Sequence, residues 1–216
     1  MPGAQDAEAH AQKKTLRAAE RDRAEIAAER DSYRERVNAI GRDRLIFVDE
    51  SGVTTKMVRM HARSPRGQRA HGAAPFGGWR RLTVLGALSK EGIVAAMSVE
   101  AATSTPIFLA YLEQVLVPEL KRRKPDATVV MDRLAPHRAA TVAEVLETAG
   151  LGLLYLPRYS PDLSPIEPGW SKVKSRLRSN AARTKEALEA ELGTALDAIT
   201  AQDAQGWFQH CGYVLN

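Results

Sequence analysis

Three carboxylates in this chain stand where acids can do chemical work. Asp49 closes the apolar run LIFVD, Asp132 closes VVMD, and Glu167 follows the proline-rich stretch LYLPRYSPDLSPI, just ahead of the basic, helix-like SKVKSRLR. The apolar residues before each aspartate read as buried strands, so each carboxylate emerges where the chain leaves the core. In parallel α/β sheets, functional groups collect at such strand ends. With the two strands as neighbours, the three acids meet at one edge. Like charges a few ångström apart raise one another's pKa or draw in a metal. Magnesium or manganese suits oxygen ligands, and two such ions about 4 Å apart can hold the attacking and leaving oxygens of an in-line phosphoryl displacement. That is the chemistry of a metal-dependent nuclease or strand-transfer enzyme.

Each acid also has a structural reading. Ser164-Pro165-Ile166-Glu167 has the pattern of a capping box with proline at the first helical position, Asp49 could cap the turn after its strand, and Asp132 could pair with Arg133. The charge distribution favours a polyanion-binding site. No acid lies between Ser51 and Lys90, where Lys56, Arg59, Arg63, Arg66, Arg69, Arg80 and Arg81 fall, and none between Pro168 and Lys185, which holds Lys172, Lys174, Arg176, Arg178 and Arg183. Each segment follows a candidate acid and suits the phosphates of a nucleic acid, although a basic run alone is more often a solvated face. A glycosidase using Asp49 and Glu167 leaves Asp132 and both basic segments without a role.

The rest of the chain must position these groups. Its 216 residues, 44% hydrophobic and 26% charged, suffice for one main core plus an appendage. The lone Cys211 excludes a disulfide framework and a cysteine-based zinc site, and no apolar run approaches a membrane span; a soluble, cytoplasmic protein is expected. Residues 1–43 form a charged helical appendage, in which Leu16, Ile26, Tyr33, Val37 and Ile40 give a sparse stripe closed by Gly41; an exposed helix or helix pair is expected, which could dock on the core, pair chains or remain from a linker. From Arg44 the texture is strand-like. RLIFVDE reads as a short buried strand, KMVRM as an alternating one, and RLTVLGALS and GIVAAMSVE as a hairpin. STPIFLAYLEQVLVPEL then predicts one helix, ATVVMD a strand, RAATVAEVLETAG a helix ending on Gly150, and LGLLYLP the last strand. Helices follow around Trp170, over TKEALEAELGTALDAI, and around Trp207. This order is mixed α/β with a parallel half.

Three motifs carry a family resemblance: FVDESG, MDRLAPHR and YLPRYSPDLSPIEPGWSKVKSRLR, with 34 residues (133–166) between Asp132 and Glu167. They resemble the mariner superfamily of DDE transposases, in its bacterial insertion-sequence branch, over roughly Lys13 to Tyr213. The resemblance implies an RNase-H-like fold over residues 44–216, with a mixed five-stranded sheet flanked by helices. It implies that Asp49, Asp132 and Glu167 are catalytic and hold two divalent ions, Mg or Mn. The prolines then limit how far the loop before Glu167 can wander, while Ile166, Trp170, Val173 and Leu177 anchor the helix and leave Lys174 and Arg178 on the face nearer Glu167. DNA is the implied partner, as element ends and target, with a homo-oligomer when active and no membrane. Arg63, Arg66, Arg69, Arg80, Arg81, Arg133, Lys172, Lys174 and Arg178 are the expected DNA contacts.

Two departures from the family pattern stand out. Asp132 is followed by Arg133 where similar sequences have asparagine, and that guanidinium either clamps phosphate or competes with the metals. The second outcome makes the chain an impaired relic that only binds DNA or assembles. Complete members also carry helix-turn-helix domains ahead of the core, so end recognition is expected from a helix-turn-helix partner or an upstream frame. His137, near the second aspartate, matches a family histidine and is expected to make a structural hydrogen bond, with a role in ordering the site as the alternative.

Overall fold

The computed structural model describes residues 18–75 and 77–213; Lys13 and Leu16 lie outside them. Five strands, β1 (Leu45–Thr54), β2 (Arg81–Ser89), β3 (Gly92–Val99), β4 (Thr128–Met131) and β5 (Gly152–Tyr155), form one mixed sheet in the order β3-β2-β1-β4-β5. The hairpin forms as its sequence predicts: β2 is antiparallel to both β1 and β3, while β4 lies parallel to β1 and β5 parallel to β4.

The alternation of β1 splits the apolar residues between two layers, because successive side chains of a strand point to opposite faces. Leu45 and Phe47 pack with α1 (Ala24–Ile40), α5 (Ile166–Asn180), α6 (Lys185–Asp197) and α7 (Ala201–His210). Ile46 and Val48 pack on the other face with α2 (Thr105–Tyr111), α3 (Val117–Arg123) and α4 (Ala140–Thr148). Both faces of the central strand are therefore covered, as its unbroken apolar run requires. On α5, Ile166, Trp170, Val173 and Leu177 are buried at helical spacing, as their positions predict.

Four expectations are corrected. β1 does not stop at Asp49: it continues to Thr54 because every residue from Phe47 onward is paired with β2. KMVRM is not a strand; Met57 to Met60 lie in the connection between β1 and β2, whose described residues from Lys56 to Arg80 form no strand or helix. The helix expected after Ser104 is not α-helical throughout: it runs from Thr105 to Arg123 but widens into a π turn over Leu112–Leu116, two residues ahead of Pro118. Pro118 has no N–H for the carbonyl four residues back, so the ladder widens there. The N-terminal helix is not simply exposed: α1 buries Ile26, Arg30, Tyr33 and Val37, and the Tyr33 hydroxyl lies 2.8 Å from that of Tyr213. Among the described residues, no helix is long and apolar enough to cross a membrane.

Candidate active site

The β1–β4 register explains why two aspartates far apart in sequence come together. Leu45, Ile46 and Phe47 stand beside Thr128, Val129 and Val130, so continuing the parallel register by two residues sets Asp132 beside Asp49. β4 ends at Met131, and the chain turns away as Asp132 emerges. Glu167 lies in the first turn of α5. All three acids line one cavity of about 600 Å³, whose floor and lip include Val48, Leu156, Pro157 and Tyr159. The structure thus brings together the three residues singled out by the sequence.

Each acid is held differently. Asp49 shares its face of β1 with Leu45 and Phe47, pointing toward α5, and its Oδ2 accepts the Trp170 Nε1 proton at 2.9 Å. Burial, then the negative charges of Glu167 and Glu50, push the Asp49 carboxyl up to about 7. Asp132 goes the other way. Burial opposes its charge, but its Oδ1 accepts from the Leu134 N–H at 3.0 Å and lies 2.6 Å from His137 Nδ1, and these partners bring its pKa below the usual value. Its Oδ2 has no hydrogen-bond partner among the described residues. Glu167 is exposed and makes no capping box: Pro165 holds the cap position, and no side chain caps that end. Asp132 does not pair with Arg133 either. That guanidinium lies over the Tyr155 ring, 5.9 Å from its centroid, with Nε 3.4 Å from the Leu156 carbonyl.

Glu50, Gly86 and Arg30, to which sequence reasoning assigned no role, and His137 and Trp170, which it read first as structural, support the site. Glu50 projects to the face opposite Asp49, where its Oε2 lies 3.1 Å from Nε2 of the fully buried His137. The pair is close enough for ionic attraction but not aligned as a hydrogen bond, so both atoms lack one. Burial works against charge on His137, yet Asp132 and Glu50 outweigh it and hold the imidazole up to about 9. The histidine expected to be structural is therefore the link between two acids. Trp170, expected only as an anchor, is also a donor to Asp49. Gly86, opposite Asp49 in β2, gives that indole its room: a Cβ there would lie 2.6 Å from Trp170 Cη2. A glycine inside the strand pattern RLTVLGALS was the available signal of close approach. Arg30, whose buried guanidinium holds Ser160 and Asp162 in the loop before Glu167, carried no signal, because a charged residue on a charged helix reads as surface.

The cations divide into free and committed groups. Arg63, Arg66 and Arg69 are exposed on the β1–β2 connection, and Arg59 from the same connection reaches Ser179 of α5. Arg80 pairs with Glu100, Lys172 with Asp203, and Arg81 lies over Gly52. Lys174 and Arg178 have no acidic partner among the described residues and share the Glu167 side of α5 at helical spacing. No three His, Cys, Asp or Glu side chains among the described residues form a group that could cage one metal ion. The donor set still fits hard divalent cations. It is all-oxygen, it repels itself in the absence of positive charge, and magnesium commonly takes only one or two carboxylates and completes its shell with water.

Solved structures share this architecture. The chain superposes on the Mos1 transposase paired-end complex with the left transposon end at a TM-score of 0.76, with 16% identity, covering 94% of this chain and 63% of that one. For the Mos1 strand transfer complex the TM-score is 0.72 at 18% identity, with coverage of 94% and 63%. For the Mos1 catalytic domain with Raltegravir and Mn it is 0.67 at 15% identity, with coverage of 90% and 91%. The chain therefore has the RNase-H-like fold and spans 63% of the length of the first two. No curated protein is significantly similar in sequence. Asp49, Asp132 and Glu167, with the strands and helix that carry them, all fall within residues 44–189, the span that matches the sequence model of the DDE superfamily endonuclease, and the chain belongs to that family.

Proposed function

We propose that the chain is the catalytic part of a bacterial insertion-sequence transposase, which hydrolyses DNA at element ends and joins the resulting 3′-hydroxyl to target DNA. The observation that carries this reading is the convergence of Asp49, Asp132 and Glu167, from β1, the end of β4 and the start of α5, on one cavity. The fold match to Mos1 complexes named for a transposon end, Mn and Mg supports it. Residues 44–216 are the catalytic domain and residues 1–43 the charged helical appendage, in a cytoplasmic, nucleoid-associated protein that acts as a homo-oligomer.

Two divalent ions, Mg or Mn, supply water activation and neutralise charge on the leaving oxygen when bound. Asp49, Asp132 and Glu167 would hold them. Trp170 fixes the carboxylate of Asp49, and His137 fixes that of Asp132 while leaving Oδ2 turned free. Arg63, Arg66, Arg69, Lys174 and Arg178 carry the phosphate backbone. Arg133, lying over the Tyr155 ring and directed at the Leu156 carbonyl, does not engage Asp132, which favours a working enzyme over an impaired DNA-binding relic.

Nicking of supercoiled plasmid by the full chain tests this reading. Nicking requires Mg or Mn, stops in chelator, and is lost in Asp49→Asn and Asp132→Asn variants that stay folded and still bind DNA. Calorimetry with Mn alone shows weaker binding in both variants. Nicking that survives chelator, or wild-type rates in both variants, removes the assignment.

A further inference from the structure

Tyr159 stands at the lip of the cavity that holds the three acids, 47% exposed, with a backbone φ of +53°. That is the left-handed region, which residues with a side chain rarely occupy. Among the described residues only one other non-glycine, Ala181, has a positive φ, and it ends α5, where a left-handed cap is ordinary. No helix end accounts for Tyr159.

The strained residue is pinned from both sides by consecutive residues of α1. Glu29 accepts from the Arg158 backbone N–H at 3.3 Å and from its guanidinium at 2.9 and 2.6 Å. Arg30, only 5% exposed, donates to Ser160 Oγ at 2.7 Å and to the two Asp162 carboxylate oxygens at 3.0 and 2.8 Å. Both neighbours of Tyr159 are thus fixed, while its own hydroxyl has no hydrogen-bond partner among the described residues. The fold does not need the ring for packing, yet it holds the backbone in a strained conformation at a candidate active site. Strain kept in such a place is a positioning device.

Arg133 and Arg138 line the same cavity, so an exposed planar face on its lip suits a nucleobase whose phosphate sits among cations. A base beside a cut is most easily unstacked from its duplex, and an aromatic face offsets part of that loss. We propose that Tyr159 is a stacking platform for an unpaired nucleobase next to the scissile phosphate, with Glu29 and Arg30 of α1 as its mount. This rests on the reading of the cavity as a DNA-cutting centre.

The test uses full-length protein in chelator, with a duplex that bears a short unpaired overhang containing 2-aminopurine and a blunt duplex of the same length. Stacking on Tyr159 quenches the overhang fluorescence. Tyr159→Phe retains the quench. Tyr159→Ala loses it and binds the overhang duplex roughly tenfold more weakly, with blunt-duplex binding unchanged. Tyr159→Gly loses the quench while its Tm holds or rises, because glycine adopts the positive φ without strain. Unchanged quench and affinity in Tyr159→Ala overturn the proposal, as does an equal loss on both duplexes with a falling Tm in Tyr159→Gly. If wild-type protein binds neither duplex, the DNA-cutting reading falls with it. If binding and metal-dependent nicking persist with no quench, the stacking proposal alone falls.

Discussion

Replacing Gly86 by alanine probes how the sheet makes room for the residue that holds Asp49. The new Cβ would lie 2.6 Å from Trp170 Cη2 and 3.0 Å from Cζ2, with Ile166 Cδ1 behind at 3.8 Å. Carbon atoms rest at about 3.5–4.0 Å, so the indole must retreat by about 1 Å. Trp170 is buried and tied to Asp49, so it cannot retreat without breaking that bond or displacing α5. Overpacking of this kind costs about 1–3 kcal/mol, while alanine in a strand gains about 0.5–1 kcal/mol over glycine. The net expectation is a loss of about 1–2 kcal/mol, read as a lower urea midpoint at constant m. Trp170→Phe removes the atoms that collide. In the Gly86→Ala background it should therefore cost less than it does alone, with a coupling of about 1 kcal/mol. Only the singly substituted Gly86→Ala chain carries the clash. A Gly86→Ala protein as stable as the wild type, or strict additivity of the two changes, refutes the reasoning.

Three further outcomes follow from the contacts described. His137 keeps a proton in the native state up to about 9 but loses it near 6.5 when unfolded, so its stabilisation is complete below about 6.5 and disappears as pH rises through about 9. In chelator, His137→Gln should flatten that decline in thermal melts between these limits, and an unchanged slope counts against a charged imidazole. Arg30→Met removes the buried guanidinium from Ser160 and Asp162; with Asp162 partly solvated and Arg21 still 3.1 Å from its Oδ2, the loss should be about 2 kcal/mol by urea denaturation. A change near zero would show that α1 is not held by this cluster. Neutralising Lys174 and Arg178 together should reduce the slope of log affinity against log salt by about 2, whereas Lys172→Gln, already paired with Asp203, should change it little; equal effects would contradict the division into free and committed cations.

The site was legible where a single strand or helix start decides a residue's position. Leu45 to Val48 announce a buried strand, and Asp49 follows it; VVM does the same for Asp132. The same reading stopped β1 too early, because ESGVT looks polar until its pairing with β2 is known. It also read Ser164 and Glu167 as a possible capping box, which the structure replaces with an uncapped start and a carboxylate facing the cavity. What could not be read depends on pairs distant in sequence. Arg30 is an ordinary surface residue until Asp162, 132 positions later, meets it. Strand alternation puts Glu50 on the face away from Asp49, but its neighbour there, His137, is set by the turn after β4, which strand periodicity does not specify. Gly86 lacks a side chain because of an indole from another layer.

The docking of α1 has a consequence for how the chain is made. Its buried face, Ile26, Tyr33 and Val37, is made long before its partners: the hydroxyl that Tyr33 meets belongs to a residue 180 positions later, and Arg30 waits for Asp162. At about 5–20 residues per second, the nascent helix spends roughly 10–35 s with an apolar stripe and no native surface to cover it. The hairpin of β2 and β3 can form in the meantime, since its contacts are local. The 180 residues that separate Tyr33 from Tyr213 must be made before this helix is fully covered, and the loop that carries Tyr159 and leads to Glu167 gains its mount only when α1 docks.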